Sequence, residues 1–225
     1  MKANNPIIDM LNRQKAVNEI VAGRNWFEKG LDWRTAVVVE AGELIDSLDW
    51  KWWKHQDTDV DNAKIECVDI WHFVLSMVAE ATIKQQIQKD SADEELNFIV
   101  KTTSNKEKKL DEKLVIEQVI QLISIVSENK NANFYKVISA VQKTCELSYS
   151  LDMDIEEVAK LYFGKSVLNE FRQRHGYKDG TYQKIWHGKE DNKAMIEMSN
   201  TLSYGPTFEE NLNQMLEDMY LTVVE

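Results

Sequence analysis

Residues 63–78 read AKIECVDIWHFVLSMV. Ile65, Val68, Trp71, Val74, Leu75 and Val78 recur there at intervals of three and four, the period of one face of an α-helix. Neither Gly nor Pro interrupts the run, and the 121 residues from Glu43 to Phe163 contain neither. The whole chain of 225 residues has 8 Gly and 2 Pro, about 4% and 1% against a usual 7% and 5% or so. A sandwich or barrel needs a turn every 8–12 residues or so, and turns draw on these two residues. An all-β fold is thereby excluded, and an all-α, multi-helix bundle is expected. With 43% hydrophobic residues the chain can bury a core without disulfides or structural zinc. It reads as a single domain over 1–225.

Outward from this segment, a helix is expected over about 6–22, with Pro6 suited to a first turn. Gly23 and Gly30 bracket a loop holding Trp26. Asp32 caps a second helix reaching about Lys54, and 55–62 reads as a polar loop before a third helix over about 63–88. Ser91-Ala-Asp-Glu94 has the form of a capping box, so a helix starts there. Lys101–Lys109 is a surface loop, and helices follow over about 111–129 and 133–150. Asp154-Ile-Glu-Glu157 opens another, running to about Arg174. Residues 175–190 hold three glycines and read as an ordered loop, and a last helix covers about 207–222. The stretch over about 90–155 is expected to be a variable, mobile helical insert.

The net charge of −11 argues against general nucleic-acid binding and against an anionic membrane surface. No apolar run approaches the roughly 20 residues that span a bilayer. Met1 to Met10 lacks a signal-peptide pattern. Cys67 and Cys145 have no metal-type spacing and read as free thiols of a cytoplasmic protein.

Glu40-Ala-Gly-Glu43 and Glu66-Cys-Val-Asp69 each set two carboxylates three residues apart, on one helix face. With 38 acids in 225 positions, about six such pairs arise by chance, so spacing alone is weak. The flanks are apolar, however, and carboxylates are rarely buried unless paired or bound to a cation. Oxygen-only ligands suit Mg²⁺ or Mn²⁺ rather than zinc. The alternative is two solvated acidic faces. Gly42 between the glutamates costs about 0.5–1 kcal/mol relative to Ala, which a close helix contact or ligand approach would explain. His72 follows Asp69 at the spacing of the Glu-x-x-His motif of di-iron bundles, or is a core histidine with a hydrogen-bond partner.

Residues 165–189 carry Lys165, Arg172, Arg174, Lys178, Lys184 and Lys189 against Glu170 and Asp179 alone. Lys165 and Arg172 lie two helical turns apart on one face. Cations followed by a Gly-rich loop can surround a polyphosphate; the alternative is a solvated basic face. Trp50, Trp52 and Trp53 crowd the end of the second helix, where Trp53 could stack on a base or pack on a neighbour. Gln14 and Asn18 share one face of the first helix, and amides there can read the donor and acceptor edge of a base.

Together these motifs resemble the dimeric, all-α dUTPase family within the all-α NTP pyrophosphatase superfamily. The resemblance rests on Gln14-x-x-x-Asn18, on Glu40-Ala-Gly-Glu43-Leu-Ile-Asp46-Ser47 with Trp50 and Trp53, and on Glu66-Cys-Val-Asp69-Ile-Trp-His72-Phe. It continues in Gly164-Lys165-x-x-Leu168-Asn169-x-Phe171-Arg172-Gln173, Gly176-Tyr177-Lys178-Asp179-Gly180-x-Tyr182-x-Lys184 and Gly188-Lys189-Glu190-Asp191-Asn192. The carboxylate block indicates the superfamily; the C-terminal run is the part that points to dUTPase. Residues 80–155 and the tail after 192 match no motif.

The resemblance implies a homodimer that hydrolyses dUTP and dUDP to dUMP, limiting uracil in DNA and supplying thymidylate synthesis. It implies two or three Mg²⁺ ions, replaceable by Mn²⁺, held by Glu40, Glu43, Glu66 and Asp69, with Glu43 orienting or deprotonating the attacking water. Lys165, Arg172, Tyr177, Lys184 and Asn192 would meet phosphate. Gln14, Asn18 and Asn169 would read uracil, with Trp53 and His72 shaping the pocket. Three rivals remain: a related pyrophosphatase for another base, such as dCTP; a di-iron carboxylate bundle on the same acids with His72; and a non-catalytic helical interaction protein.

Overall fold

The computed structural model describes residues 5–104, 106–129 and 133–224. Parts of three sequence readings lie outside them: 1–4 of the N-terminal stretch, Asn105 of the 101–109 loop, and 130–132 between two predicted helices. Among the described residues the chain is almost wholly helical, as expected, with α1 Pro6–Ala22, α2 Trp33–Asp46, α3 Val60–Lys84, α4 Lys89–Thr103, α5 Glu112–Glu128, α6 Phe134–Ser150, α7 Ile155–Arg174, α8 Asp191–Thr201 and α9 Phe208–Val224. One two-residue hairpin, β1 Ile185–Trp186 with β2 Lys189–Glu190, is antiparallel. The fold is all-α. Contacts group the chain into two compact units, Met1–Ala159 and Lys160–Glu225.

In the first unit α3 is the central helix. It packs against α1, α2 and α6, while α5 lies on α6 and α2, and α4 on α6 and α1. The 90–155 stretch therefore supplies part of the core: Val115, Val119, Leu122, Val137, Val141 and Leu147 are all buried. Trp71 Nε1 donates to Ser148 Oγ at 3.0 Å, joining α3 to α6. A helix enclosed on all sides must be apolar around its circumference, and α3 nearly is. Between Ile65 and Ala81 the exceptions are Glu66, Asp69, His72, Ser76 and Glu80, which step along the helix by three or four and so form one polar stripe. Both cysteines are free and buried. Burial pushes the Cys67 thiol up to about 12 and that of Cys145 to about 11, which makes them inert packing groups.

The turns explain how this unit manages with so little glycine. Asp32, Asp59, Asp111 and Asn133 each cap a helix by accepting a backbone N–H through the side chain. At the far ends of α3 and α6, Gln86 (φ 52°) and Asp152 (φ 59°) take the left-handed conformation that glycine normally supplies. Ile87 N–H bonds Thr82 O and Gln86 N–H bonds Ile83 O; Met153 N–H bonds Ser148 O and Asp152 N–H bonds Tyr149 O. Both are Schellman motifs built on a non-glycine residue.

Several boundaries differ from expectation. The second helix stops at Asp46 rather than Lys54, so the three tryptophans lie beyond it. Ser47 Oγ donates back to Glu43 O, and the side-chain amide of Gln56 donates to Asp46 O and Leu48 O, so the chain folds back instead of continuing. The third helix starts at Val60 because Asp59 caps it, and ends at Lys84 at the Gln86 turn. α4 begins at Lys89, before the Ser91 box, and Gln88 at its N-cap makes no side-chain cap bond. At Asp154 the reciprocal box does form: Asp154 Oδ1 accepts from Glu157 N–H and Glu157 Oε2 from Asp154 N–H, each at 3.0 Å.

In the second unit, the C-terminal part of α7 packs with the hairpin, α8 and α9. α8 was not expected from the sequence. Its Ala194, Met195 and Met198 are buried, and at Gly164 an added Cβ would stand 2.9 Å from Met195 Sδ and 3.1 Å from Ser199 Oγ. Gly164 thus permits the close approach of α8 to α7. Phe171, His175, Tyr182, Trp186 and Tyr220 form the unit's aromatic cluster, with Tyr182 stacked on Tyr220 at 5.3 Å.

Candidate functional site

The polar stripe of α3 meets two helices. Towards α2, carboxylate oxygens of Glu40, Glu43 and Glu66 lie within 4.8 Å of one another. The arrangement follows from a clamp at the α2–α3 connection. Ser47 O accepts from Asp59 N–H at 2.8 Å, and Asn62 Nδ2 donates to Ser47 Oγ at 2.8 Å. Glu43 lies four residues before Ser47 and Glu66 four after Asn62, so each stands one turn from the clamp on facing helices. Glu66 is buried, Glu40 half-buried and Glu43 exposed. Asp69, one turn beyond Glu66 and half-buried, does not fall within this group. Beside it, Glu43, Asp46, Asp57 and Asp59 line an open recess of about 440 Å³.

Three carboxylates from two helices converging this closely repel, and a hard divalent cation relieves the repulsion. The donor set is all oxygen and therefore fits Mg²⁺ or Mn²⁺. It does not fit the di-iron arrangement, which wants histidine in the set; His72 turns instead towards α1. Gly42 has nothing within 4 Å of an added Cβ, so no close helix contact within the chain accounts for it.

Towards α1, the stripe forms a buried ring of hydrogen bonds. Gln14 Oε1 can only accept, so His72 Nδ1 carries the proton and donates to it at 2.8 Å. Gln14 Nε2 donates to Asn18 Oδ1 at 2.8 Å, Asn18 Nδ2 to Ser76 Oγ at 3.1 Å, and Ser76 Oγ to His72 O at 2.8 Å. Each donor points to the next acceptor, which fixes both amides and the histidine tautomer. Gln14, Asn18 and His72 are thus brought together. Trp53 is exposed, in edge contact with Trp50 at 5.3 Å and Trp52 at 5.4 Å on the loop after α2.

In the second unit two of the basic residues, Lys165 and Arg172, meet on one amide. Asn192 Oδ1 accepts from Lys165 Nζ at 3.3 Å and from Arg172 Nη2 at 3.1 Å, so the seven-residue spacing does place both cations on one face. Arg172 also donates to Asn169 Oδ1 at 3.1 Å. Its main partner is Asp191, which it grips through Nε and Nη2 at 2.8 Å each. Tyr182 donates to the same carboxylate at 2.7 Å. Burial alone would depress the Arg172 pKa, but the bonds and charge of Asp191 outweigh it and hold the value up. Burial, then the bond to Asp191, pushes the Tyr182 phenol well up, so it stays a donor. The Tyr177 ring lies 5.8 Å from the Arg172 guanidinium. Lys184 is exposed, 3.5 Å from Glu190.

Asp191 and Tyr182 had no role in the sequence reading. The available signal was an acid directly before Asn192, at the end of a strongly basic run. The Ser47–Asn62 clamp is not legible in the sequence, where Ser47 reads as part of the second helix and of the Glu40–Ser47 motif, and Asn62 as a loop polar.

No helix among the described residues is long and apolar enough to cross a membrane. No individual curated protein matches the chain. A family model described as dUTPase matches residues 7–177, about three quarters of the chain, a span that holds Gln14, Asn18, Glu40, Glu43, Glu66, Asp69, His72, Lys165, Asn169 and Arg172 but not Tyr182, Lys184, Asp191 or Asn192. The chain therefore belongs to the all-α dUTPase family, whose members are nucleotide hydrolases.

Proposed function

We propose that the protein hydrolyses dUTP and dUDP to dUMP, limiting uracil in DNA and supplying dUMP for thymidylate synthesis. The observation that carries this reading is the convergence of Glu40, Glu43 and Glu66 in a chain of this family. These residues, with Asp69 one turn on, would hold two or three Mg²⁺ ions, or Mn²⁺ in their place. Bound there, the metal supplies neutralisation of phosphate charge and a lowered pKa for water. Glu43, the exposed member, orients the attacking water and accepts its proton. Lys165, Arg172, Tyr177, Lys184 and Asn192 meet the phosphates, where cations and fixed donors stabilise developing charge.

Gln14, Asn18 and Asn169 read the uracil edge, while His72 and Trp53 shape the base pocket. The fixed His72–Gln14–Asn18–Ser76 ring supports this, because preorganised amides discriminate better than mobile ones. The protein acts as a cytoplasmic homodimer on free nucleotides, not on nucleic acid or membranes. Exposed Ile20 and Val21 on α1 and Val39 on α2 support a partner surface.

The test is turnover of dUTP, dUDP, dCTP, dTTP and UTP with Mg²⁺ and again with EDTA, products being resolved by ion exchange. EDTA-sensitive conversion of dUTP and dUDP alone to dUMP is the expected result. Equal turnover of dCTP would remove the uracil assignment and keep the metal site. Turnover undiminished by EDTA would remove the metal site.

A further inference from the structure

Asn169 and Asn192 sit on different helices, α7 and the first turn of α8, yet both have their side-chain oxygen taken by the same guanidinium. The orientation is a chemical necessity. Arg and Lys side chains only donate, so an amide facing them must offer its oxygen. Each –NH₂ therefore points away from Arg172, and neither makes a hydrogen bond to any described residue. Four of the five N–H bonds of Arg172 are spent: two on Asp191, one on Asn169 and one on Asn192. Its charge is answered by a carboxylate that is 0% exposed. One N–H remains for a phosphate oxygen, and the same guanidinium is a template that decides which end of two amides faces outward.

We infer that Asp191 is a positioning residue for base specificity: by gripping Arg172 it turns Asn169, and with it Asn192, into donors only. This rests on the proposed reading of Asn169 as a uracil contact. A fixed –NH₂ matches a carbonyl oxygen of uracil and opposes the exocyclic amino group of cytosine. The same polarity at Asn192 matches an anionic phosphate oxygen. Free to rotate, an Asn amide would accept either base by flipping. The Asp191–Arg172 pair removes that freedom, and the bond from Tyr182 occupies Asp191 Oδ2 from another side and fixes the carboxylate plane.

The experiment compares kcat/KM for dUTP and dCTP, together with Kd for dUMP and dCMP by titration calorimetry, in two variants. Asp191→Asn sets an amide N–H against the guanidinium and releases it. The dUTP/dCTP ratio is expected to fall about tenfold, the worth of one well-made hydrogen bond, in binding as well as in kcat/KM. A merely structural role lowers both substrates equally, and an unchanged ratio overturns the inference. If Asp191→Asn does not yield folded protein, the double variant Asp191→Leu/Arg172→Met removes both charges together and carries the same comparison. Asn169→Asp keeps an acceptor for Arg172 but presents a second oxygen in place of –NH₂, so the ratio is expected to swing towards dCTP. A swing in Asn169→Asp with no change on Asp191→Asn overturns the positioning role alone. No swing in Asn169→Asp overturns the base reading beneath it.

Discussion

The two units treat charge in opposite ways. In the first, three glutamates from α2 and α3 bring like charges within 4.8 Å. In the second, Arg172 and Asp191 bring opposite charges together at 2.8 Å inside the protein. The first arrangement gains from a cation supplied from outside. The second is satisfied internally, and its geometry serves to orient neighbouring amides. A buried pair of opposite charges and a cluster of like charges thus ask different things of a ligand.

The largest expected effect breaks the comparison on the first side. Glu66→Ala removes the buried member of the cluster, and dUTP turnover at saturating Mg²⁺ is expected to fall about a thousandfold, the equivalent of several kcal/mol of charge stabilisation. Mn²⁺ binding followed by electron paramagnetic resonance should fall with it. Intact Mn²⁺ binding would show that the cluster is not the metal site.

On the second side, Asp191→Ala leaves a buried guanidinium unanswered and is expected to cost about 3–5 kcal/mol in urea unfolding, with Mn²⁺ binding unaffected. A loss under 1 kcal/mol or so would mean that the pair is solvated in solution.

A smaller effect concerns the backbone. Gln86→Gly and Asp152→Gly relieve left-handed residues in the first unit and should each raise stability by about 0.5–1 kcal/mol. Destabilisation by either would show that the side chain contributes more than the strain removes.

The smallest effect sharpens the comparison itself. Glu146 is a first-unit carboxylate held between two cations, Lys106 at 2.8 Å and Lys143 at 2.7 Å. Burial raises its pKa, but these two lysines outweigh burial and leave it below the ordinary 4.5. Its contribution is therefore present above pH 4.5 and is lost as pH falls through the lower folded value. Glu146→Gln should remove about 0.5 kcal/mol at pH 7 and flatten the acid limb of a stability–pH curve. An identical acid limb in the variant would exclude this role.

The helical class was legible because period and punctuation agree over a long run. The carboxylate pairs Glu40/Glu43 and Glu66/Asp69 were legible as well, since each is local to one helix. Helix ends were less so. Gln86 and Asp152 stop helices without the glycine that would have announced them, and Ser47 ends α2 through bonds to residues still ahead of it in the chain. α8 went unread because its apolar residues are few and its reason to form is a partner, Gly164, about thirty residues earlier.

The sequence by itself determined the all-α class, the helix faces and the chemical types available to a site, because these depend on periods of three and four and on composition. Tertiary structure alone decided that Glu66 comes within 4.8 Å of Glu40 and Glu43 while Asp69 falls outside that group. It also decided that His72 bonds Gln14 rather than a metal group, and that Arg172 is held by Asp191. Those outcomes depend on which of several allowed partners lies nearest once helices distant in the chain have packed, and hydrogen bonds and ion pairs weaken too steeply with distance for sequence spacing to specify it.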